Sequence, residues 1–247
     1  MSLEIHWAGE RLILLSGKAV AWPRTASLIV TDLHLGKSAA FRQSGIPVPE
    51  ATTGADLARL HKLVAEHHVE RLIILGDFFH SSAGRQPAMM DVVADWCGRN
   101  CGLEIVLVPG NHDKHSGEPP PRWNIRTVRD CWSVPPFSFC HAPREIAGRY
   151  VLSGHIHPAV VLREKFAKSL RIPCFWFGQR RAVLPAFGSF TGTQTVRPSR
   201  GDRVFAVGQD EILELTAAHE HESRPSETAE TAVQNGEIGD RFSNPQP

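Results

Sequence analysis

Five short apolar runs in this chain each end on side chains of the kind that hold metal ions. Ser27-Leu-Ile-Val-Thr31 runs into Asp32 and His34, Leu72-Ile-Ile-Leu75 into Gly76-Asp77, and Glu104-Ile-Val-Leu-Val108 into Pro109-Gly110-Asn111. Phe137-Ser-Phe139 precedes His141, and Tyr150-Val-Leu152 precedes Gly154-His155 and His157. Aliphatic, β-branched runs of this length, bounded by glycine or proline, are strand signals. Ligands in α/β sheets gather beyond the carboxyl ends of strands, so a fold that brings these five ends together assembles seven donor groups in one crevice. That requirement constrains the architecture more than any local propensity does.

The residue types narrow the chemistry. Carboxylate, imidazole and carboxamide groups make a mixed nitrogen and oxygen site, suited to Mn²⁺, Fe or Zn²⁺, whereas a thiolate-rich set would indicate structural zinc. None of the seven is a cysteine. Two ions roughly 3.5–4 Å apart need a shared ligand, and a carboxylate spans that gap through its two oxygens; Asp77 is the natural bridge. Each motif alone is commonplace, and Gly-Asn-His-Asp favours a β-turn by itself. The ordered set, each member after a strand, carries the reading.

Asp32-Leu33-His34, Gly76-Asp77-Phe78-Phe79-His80, Gly110-Asn111-His112-Asp113, the lone His141 and Gly154-His155-Ile156-His157 resemble, in order, the five motifs of the calcineurin-like metallophosphoesterases. The resemblance implies an α/β fold, a four-layer αββα sandwich of two mixed β-sheets flanked by helices. It implies that Asp32, His34, Asp77 and His157 hold one ion, and that Asp77, Asn111, His141 and His155 hold the other. His112 would be a catalytic histidine that binds no metal, oriented by Asp113.

A narrower likeness covers about residues 1–215. Asp32-Leu-His-Leu-Gly-Lys37 running into Phe41-Arg42 and Gly45-Ile-Pro-Val-Pro49, with Leu184-Pro-Ala-Phe-Gly-Ser-Phe-Thr-Gly192, is similar to the bacterial ligase-associated DNA damage response endonucleases of the PdeM type. His80, three residues past Asp77, matches DNA-repair nucleases of the superfamily, where many phosphomonoesterases carry arginine nearby. The implied activity is phosphodiester hydrolysis, a DNA endonuclease in repair, by in-line attack of a metal-bridging hydroxide without a covalent enzyme intermediate. His112 would stabilise the transition state or protonate the leaving oxygen, and His80 would assist the same leaving group. Two divalent ions are expected, Mn²⁺ first, with Fe or Zn²⁺ as alternatives. The expected partner is DNA, single-stranded and without sequence specificity, with a ligase, a helicase and an exonuclease implied by the resemblance. Two other readings stay open: a phosphodiesterase or phosphatase for nucleotides or small phosphoesters, and a non-catalytic metal-stabilised subunit of a repair complex. The intact His112-Asp113 argues against the last.

A chain of 247 residues with 42% hydrophobic content can bury one substantial core. Residues 216–247 carry six acids against Arg224 and Arg241, so the overall net charge of +1 leaves about +5 on residues 1–215. The expectation is one domain over 1–215 followed by an acidic tail too poor in large apolar residues to order. Arg163, Lys165, Lys168, Arg171, Arg180 and Arg181 flank Phe166 and Phe175-Trp-Phe177, and Arg122, Arg126 and Arg129 surround Trp123. Cations beside exposed rings suit single-stranded nucleic acid, while alternating strands would instead send the rings to the core. No base-reading motif is visible.

The start, Met1-Ser-Leu-Glu-Ile-His, lacks a signal pattern, and no apolar run approaches the roughly 18 residues of a membrane span. A cytoplasmic, membrane-free enzyme is expected. Cys97, Cys101, Cys131, Cys140 and Cys174 form no framework and are expected to be reduced. Leu57, Leu60 and Val64, capped by Thr53, and Met89, Val92, Val93 and Trp96 after Pro87 mark two amphipathic helices. Leu3-x-Ile5-x-Trp7, Ala8-Gly9 and Leu12-x-Leu14 read as a hairpin, and strands are expected over 172–177, 182–184, 204–207 and 212–215.

Overall fold

The structure is a computed structural model that describes residues 1–48, 52–162 and 169–215. The expectations for Arg163, Lys165, Phe166 and Lys168 and for the tail 216–247 lie outside the described residues. A first sheet contains β1 (Ser2–Trp7), β2 (Glu10–Leu15), β3 (Ala19–Trp22), β4 (Ser27–Val30), β5 (Arg71–Leu75), β6 (Glu104–Val108) and β7 (Ile125–Thr127), side by side in that order. β1 and β2 turn on Ala8 and Gly9, both at positive φ, as the favoured two-residue hairpin loop requires. Strands β1 to β4 pair antiparallel, and β4 to β7 pair parallel.

The parallel half needs crossovers, and helices supply them: α1 (Lys37–Gln43) and α2 (Thr52–Glu66) lie between β4 and β5, and α3 (Pro87–Arg99) between β5 and β6. A short α4 (Asp113–Ser116) follows β6. The second sheet contains β8 (Trp132–Val134), β9 (Phe137–Phe139), β10 (Tyr150–Ser153), β11 (Pro158–Leu162), β12 (Leu170–Phe177), β13 (Arg181–Val183), β14 (Gln194–Thr195), β15 (Arg203–Val207) and β16 (Ile212–Leu215). It too is mixed, since β10 runs parallel to both β9 and β13 while β12 pairs antiparallel with β13 and β15.

The period of two along a strand explains why the runs read as continuously apolar. Leu28 and Val30 of β4 and Leu72 and Ile74 of β5 face the core under α2 and α3. Their neighbours Ile29, Ile73 and Leu75 face the other way, into the core between the sheets with Phe137, Phe139, Phe175, Phe177 and Phe205. Both faces of these strands are buried, so aliphatic residues fill every position. The two mixed sheets packed face to face are the expected sandwich. No helix among the described residues is long and apolar enough to cross a membrane.

Several local readings are corrected. Phe175 and Phe177 are 0% and 2% exposed and Trp123 is 5%, so these rings are core residues and cannot stack nucleic-acid bases. On α3, Val92 faces solvent and Cys97 takes its place in the buried stripe; on α2, Leu63 is buried and Val64 half-buried. Thr53 lies inside α2 rather than capping it, and its hydroxyl accepts from the Gly36 amide at 3.3 Å. Cys131 and Cys140 are not both free thiols but form a disulfide. The β8–β9 register pairs Trp132 with Phe139, which sets the next residues out, Cys131 and Cys140, opposite each other with Cα atoms 4.6 Å apart. Such close approach is typical of a non-hydrogen-bonded antiparallel pair.

Candidate metal centre

The strands β4 and β5 end in loops that run together. Asp32 N donates to Gly76 O at 3.1 Å, His34 N to Asp77 O at 2.8 Å and Leu35 N to Phe78 O at 2.9 Å. Asp32-Leu-His34 and Asp77 are thereby held side by side. From the other sheet, His155 N donates to Asp32 Oδ2 at 2.9 Å; the neighbouring Thr31 hydroxyl, just past the end of β4, donates to the same oxygen at 2.6 Å. The ends of β4, β5, β6, β9 and β10 meet here, and all seven expected donors come together.

They fall into two groups around Asp77. On one side its Oδ2 is 3.7 Å from His34 Nε2, which lies 3.4 Å from His157 Nε2, which in turn is 3.3 Å from Asp32 Oδ1. On the other, Asp77 Oδ1 is 3.6 Å from His141 Nε2, which lies 3.0 Å from both Asn111 Oδ1 and His155 Nδ1. Asp32, His34, Asp77 and His141 are buried, whereas Asn111 and His155 are exposed, so a buried floor opens to an accessible rim.

Several features fit cations. Asp32 Oδ1 is buried with no hydrogen-bond partner, a costly state for a carboxylate oxygen that a cation would relieve. His141 Nδ1 donates to Leu75 O at 2.9 Å and His157 Nδ1 to Gly192 O at 3.1 Å, which directs both Nε2 lone pairs inward. Burial works to raise the Asp32 carboxyl, but the imidazoles of His157 and His141 and the Thr31 hydroxyl hold it below the ordinary carboxylate range. Burial drives His34 down to about 3, so its imidazole is neutral and able to coordinate at neutral pH.

Backbone conformation marks the same residues. Asp32, His34, Asp77, His155 and His157 all have φ between +47° and +72°. Non-glycine residues adopt this region rarely and at a cost, and such strain concentrates at functional sites. A Cβ on Gly76 would strike His141 Nδ1, and one on Gly154 would strike Thr31 Oγ1 and Asp32 Oδ2. Only glycine lets these loops close on the donors.

The catalytic residues expected from the sequence adjoin this centre. His112 N donates to Asp77 Oδ1 at 2.9 Å, and His112 Nε2 is 4.0 Å from Asp77 Oδ2. Its ring stacks on that of His80 with centroids 5.0 Å apart. Burial lowers His80 to about 4, with the nearby Lys37 and His112 charges acting in the same direction. Asp113 does not orient the His112 ring, contrary to expectation. Its carboxylate accepts from the amides of Gly110, Phe78 and Phe79 at 2.8, 2.9 and 3.2 Å, tying the Asn111 loop to the Asp77 loop. The His112 ring is fixed instead by Nδ1 donating to His80 O at 2.7 Å. Thr31, Gly76 and Gly154 support the centre without donating to it, and the sequence signal for them is their place immediately before Asp32, Asp77 and His155.

The calcineurin-like phosphoesterase profile matches residues 27–143, the stretch that carries Asp32, His34, Asp77, Asn111 and His141. The chain belongs to this family of metal-dependent phosphoester hydrolases. It is similar to a solved structure, nuclease MPE of Pseudomonas putida, with 40% identity and a TM-score of 0.78 over 87% of this chain and all of that one. This similarity accords with the PdeM-type resemblance of the motifs. A second solved structure, the Escherichia coli phosphoesterase Yfce, aligns at 14% identity with a TM-score of 0.35, over 75% of this chain and 90% of that one. Comparison with curated protein sequences gives no match.

Proposed function

We propose that residues 1–215 form a two-metal phosphodiesterase that cleaves DNA internally, in the context of DNA repair. The observation that carries this reading is the division of the donors by Asp77, whose two oxygens face two imidazole-bearing groups at 3.7 and 3.6 Å. Asp32, His34, Asp77 and His157 would hold one divalent ion, and Asp77, Asn111, His141 and His155 the other; Mn²⁺ is our first choice, with Fe or Zn²⁺ as alternatives. When bound, the pair would neutralise charge on the phosphoryl oxygens and acidify water in the site.

The chain's own residues supply the rest. His112 is anchored through Nδ1, which leaves Nε2 facing the centre to deliver a proton to the departing oxygen. His80 supports that ring by stacking and through its carbonyl. The exposed rim at Asn111 and His155 gives a long chain room to cross the site, which favours a polymer over an enclosed small ester. The similarity to a nuclease points the same way. The resemblance extends this role to a place beside a ligase, a helicase and an exonuclease.

The test is cleavage of defined single- and double-stranded DNA, linear and circular, with Mn²⁺, Zn²⁺, Fe²⁺ or Mg²⁺ added to metal-free protein. Metal-dependent incision of the circular substrate is expected. Hydrolysis of nucleotides or small esters without any cut in DNA would overturn the DNA reading while leaving the hydrolase.

A further inference from the structure

Three further side chains, Phe41, Phe190 and Lys37, stand beside His80 and His112. Phe41 projects from α1 with its ring 6.1 Å from that of His80 and 5.4 Å, edge-on, from that of Phe190. Lys37 stands one helical turn before Phe41, on the same face of α1, with its ammonium 5.9 Å from the Phe190 ring centre. All three are half-buried, and among the described residues no carboxylate pairs with Lys37. Two aromatic rings and an unpaired cation thus line the approach to His80 and His112.

The arrangement is held in place from behind. Asp56 of α2, only 5% exposed, accepts from the Ser189 amide at 3.0 Å and the Ser189 hydroxyl at 2.8 Å, which anchors the residue preceding Phe190. Gly188 N donates to Asp32 O at 3.1 Å, and Lys37 N donates to His34 O at 3.1 Å. The segments that present Phe190 and Lys37 are therefore bonded directly to the backbone of two candidate metal donors. A platform fixed in this way meets a flat ligand without losing loop freedom on binding.

We infer that Phe41, Phe190 and Lys37 form a nucleoside subsite, in which a base next to the scissile phosphate sits in the corner of the two perpendicular rings, stacked on one with its edge against the other, and Lys37 faces a neighbouring phosphate. This rests on the diesterase reading above and adds where the substrate's nucleoside sits. A base has a π-face whatever its identity, so the subsite binds without choosing sequence. It also requires a base free of its own stacking neighbours.

Two esters with one leaving group isolate the contact: thymidine 5′-(p-nitrophenyl phosphate) and methyl p-nitrophenyl phosphate. The wild-type protein should prefer the nucleoside ester in kcat/KM by roughly tenfold or more, the scale of one base–ring stack. Phe41→Ala and Phe190→Ala should each lower that ratio several-fold, Phe190→Tyr should keep it, and Phe41→Leu should not. General damage to the site lowers both rates and leaves the ratio intact, which would overturn the subsite; so would a wild-type ratio near one.

Anisotropy of labelled oligothymidylate reads the same subsite without turnover. The Phe41→Ala/Phe190→Ala variant should bind roughly tenfold or more weakly, and Lys37→Gln should reduce the slope of log affinity against log salt by about 0.7. Unchanged affinity and slope would overturn it. Wild-type protein that hydrolyses neither ester with metal present would refute the diesterase reading, and the anisotropy would still decide the subsite.

Discussion

His112 donates through Nδ1 to the backbone carbonyl of His80 at 2.7 Å, and the two rings stack 5.0 Å apart. The bond fixes the tautomer and aims Nε2 at the centre, toward Asp77 Oδ2 at 4.0 Å. Because Nδ1 is taken up by that carbonyl, Nε2 is the ring nitrogen presented to the centre, where a departing oxygen would lie.

If His112 protonates the leaving oxygen, His112→Ala should keep both metal ions yet lose roughly 10²–10⁴ in rate on DNA, the usual range for a positioned acid. A nitrophenolate departs without a proton, so the loss on an aryl diester should be much smaller. Rates on both substrates, with metal analysis alongside, check this. Equal losses would remove the leaving-group role, and a missing ion would make His112 a ligand.

Asp77 presents one oxygen to each donor group, so Asp77→Asn should weaken both ion sites together and abolish hydrolysis. The buried position is kept by a residue of the same shape, so the fold should survive. Elemental analysis and circular dichroism measure the two effects. A variant that retained two ions per chain and near wild-type turnover would exclude the bridging role.

The donors were legible because strands buried on both faces read as aliphatic runs, and the seven side chains follow those runs within a few residues. What depends on register or on distant segments was not. The Cys131–Cys140 bond follows from the pairing of Trp132 with Phe139, which no spacing rule yields. Asp113 sits beside His112 in sequence, yet from the first turn of α4 its carboxylate reaches back to three amides. Phe175 and Phe177 share one face of β12 and so enter the core together, while Trp176 between them faces the other way and takes Arg181 over its ring at 5.0 Å. The meeting of Phe41 with Phe190 needs both the β4 and the β13 ends in place.

Through its buried histidines, the metal-free protein should lose stability in acid. The imidazole of an unfolded histidine binds a proton near pH 6.5, whereas burial holds His34 at about 3 and His80 at about 4 in the folded chain. Below pH 6.5 the unfolded state takes up protons that the folded state refuses, so stability is full above that pH and is lost as pH falls toward 3–4. His34 alone should contribute a loss of roughly 2–3 kcal/mol between pH 6.5 and 4.5. Urea unfolding of chelator-treated protein at several pH values gives the slope, and His34→Gln should flatten it. A His34→Gln slope equal to that of the parent would contradict the buried, neutral assignment; the raised carboxyls of Asp77 and Asp113 act in the opposite direction in both proteins.

Gly154 offers the sharpest separation of site geometry from fold. Its missing side chain is where Thr31 Oγ1 and Asp32 Oδ2 approach, and the next amide, His155 N, donates to that same Asp32 oxygen at 2.9 Å. In Gly154→Ala the methyl group must displace the Thr31–Asp32 pair or push away the loop that carries His155 and His157. Either movement separates donors that now lie 3.3 Å apart, as His157 Nε2 and Asp32 Oδ1 do. Overpacking of this kind costs about 1–3 kcal/mol, which a sandwich with two cores should survive. The expected outcome is a folded protein with fewer than two ions per chain and a hydrolysis rate at least about 10²-fold lower, the scale on which displacement of a catalytic group by about 1 Å acts. Gly98→Ala is the matched control, because the position lies in α3 with open space around it and alanine favours the helix by about 0.5–1 kcal/mol. Metal content, melting temperature and turnover of the two variants decide the matter. A Gly154→Ala protein with both ions and ordinary turnover would mean that the close approach to Thr31 and Asp32 does not hold the centre together.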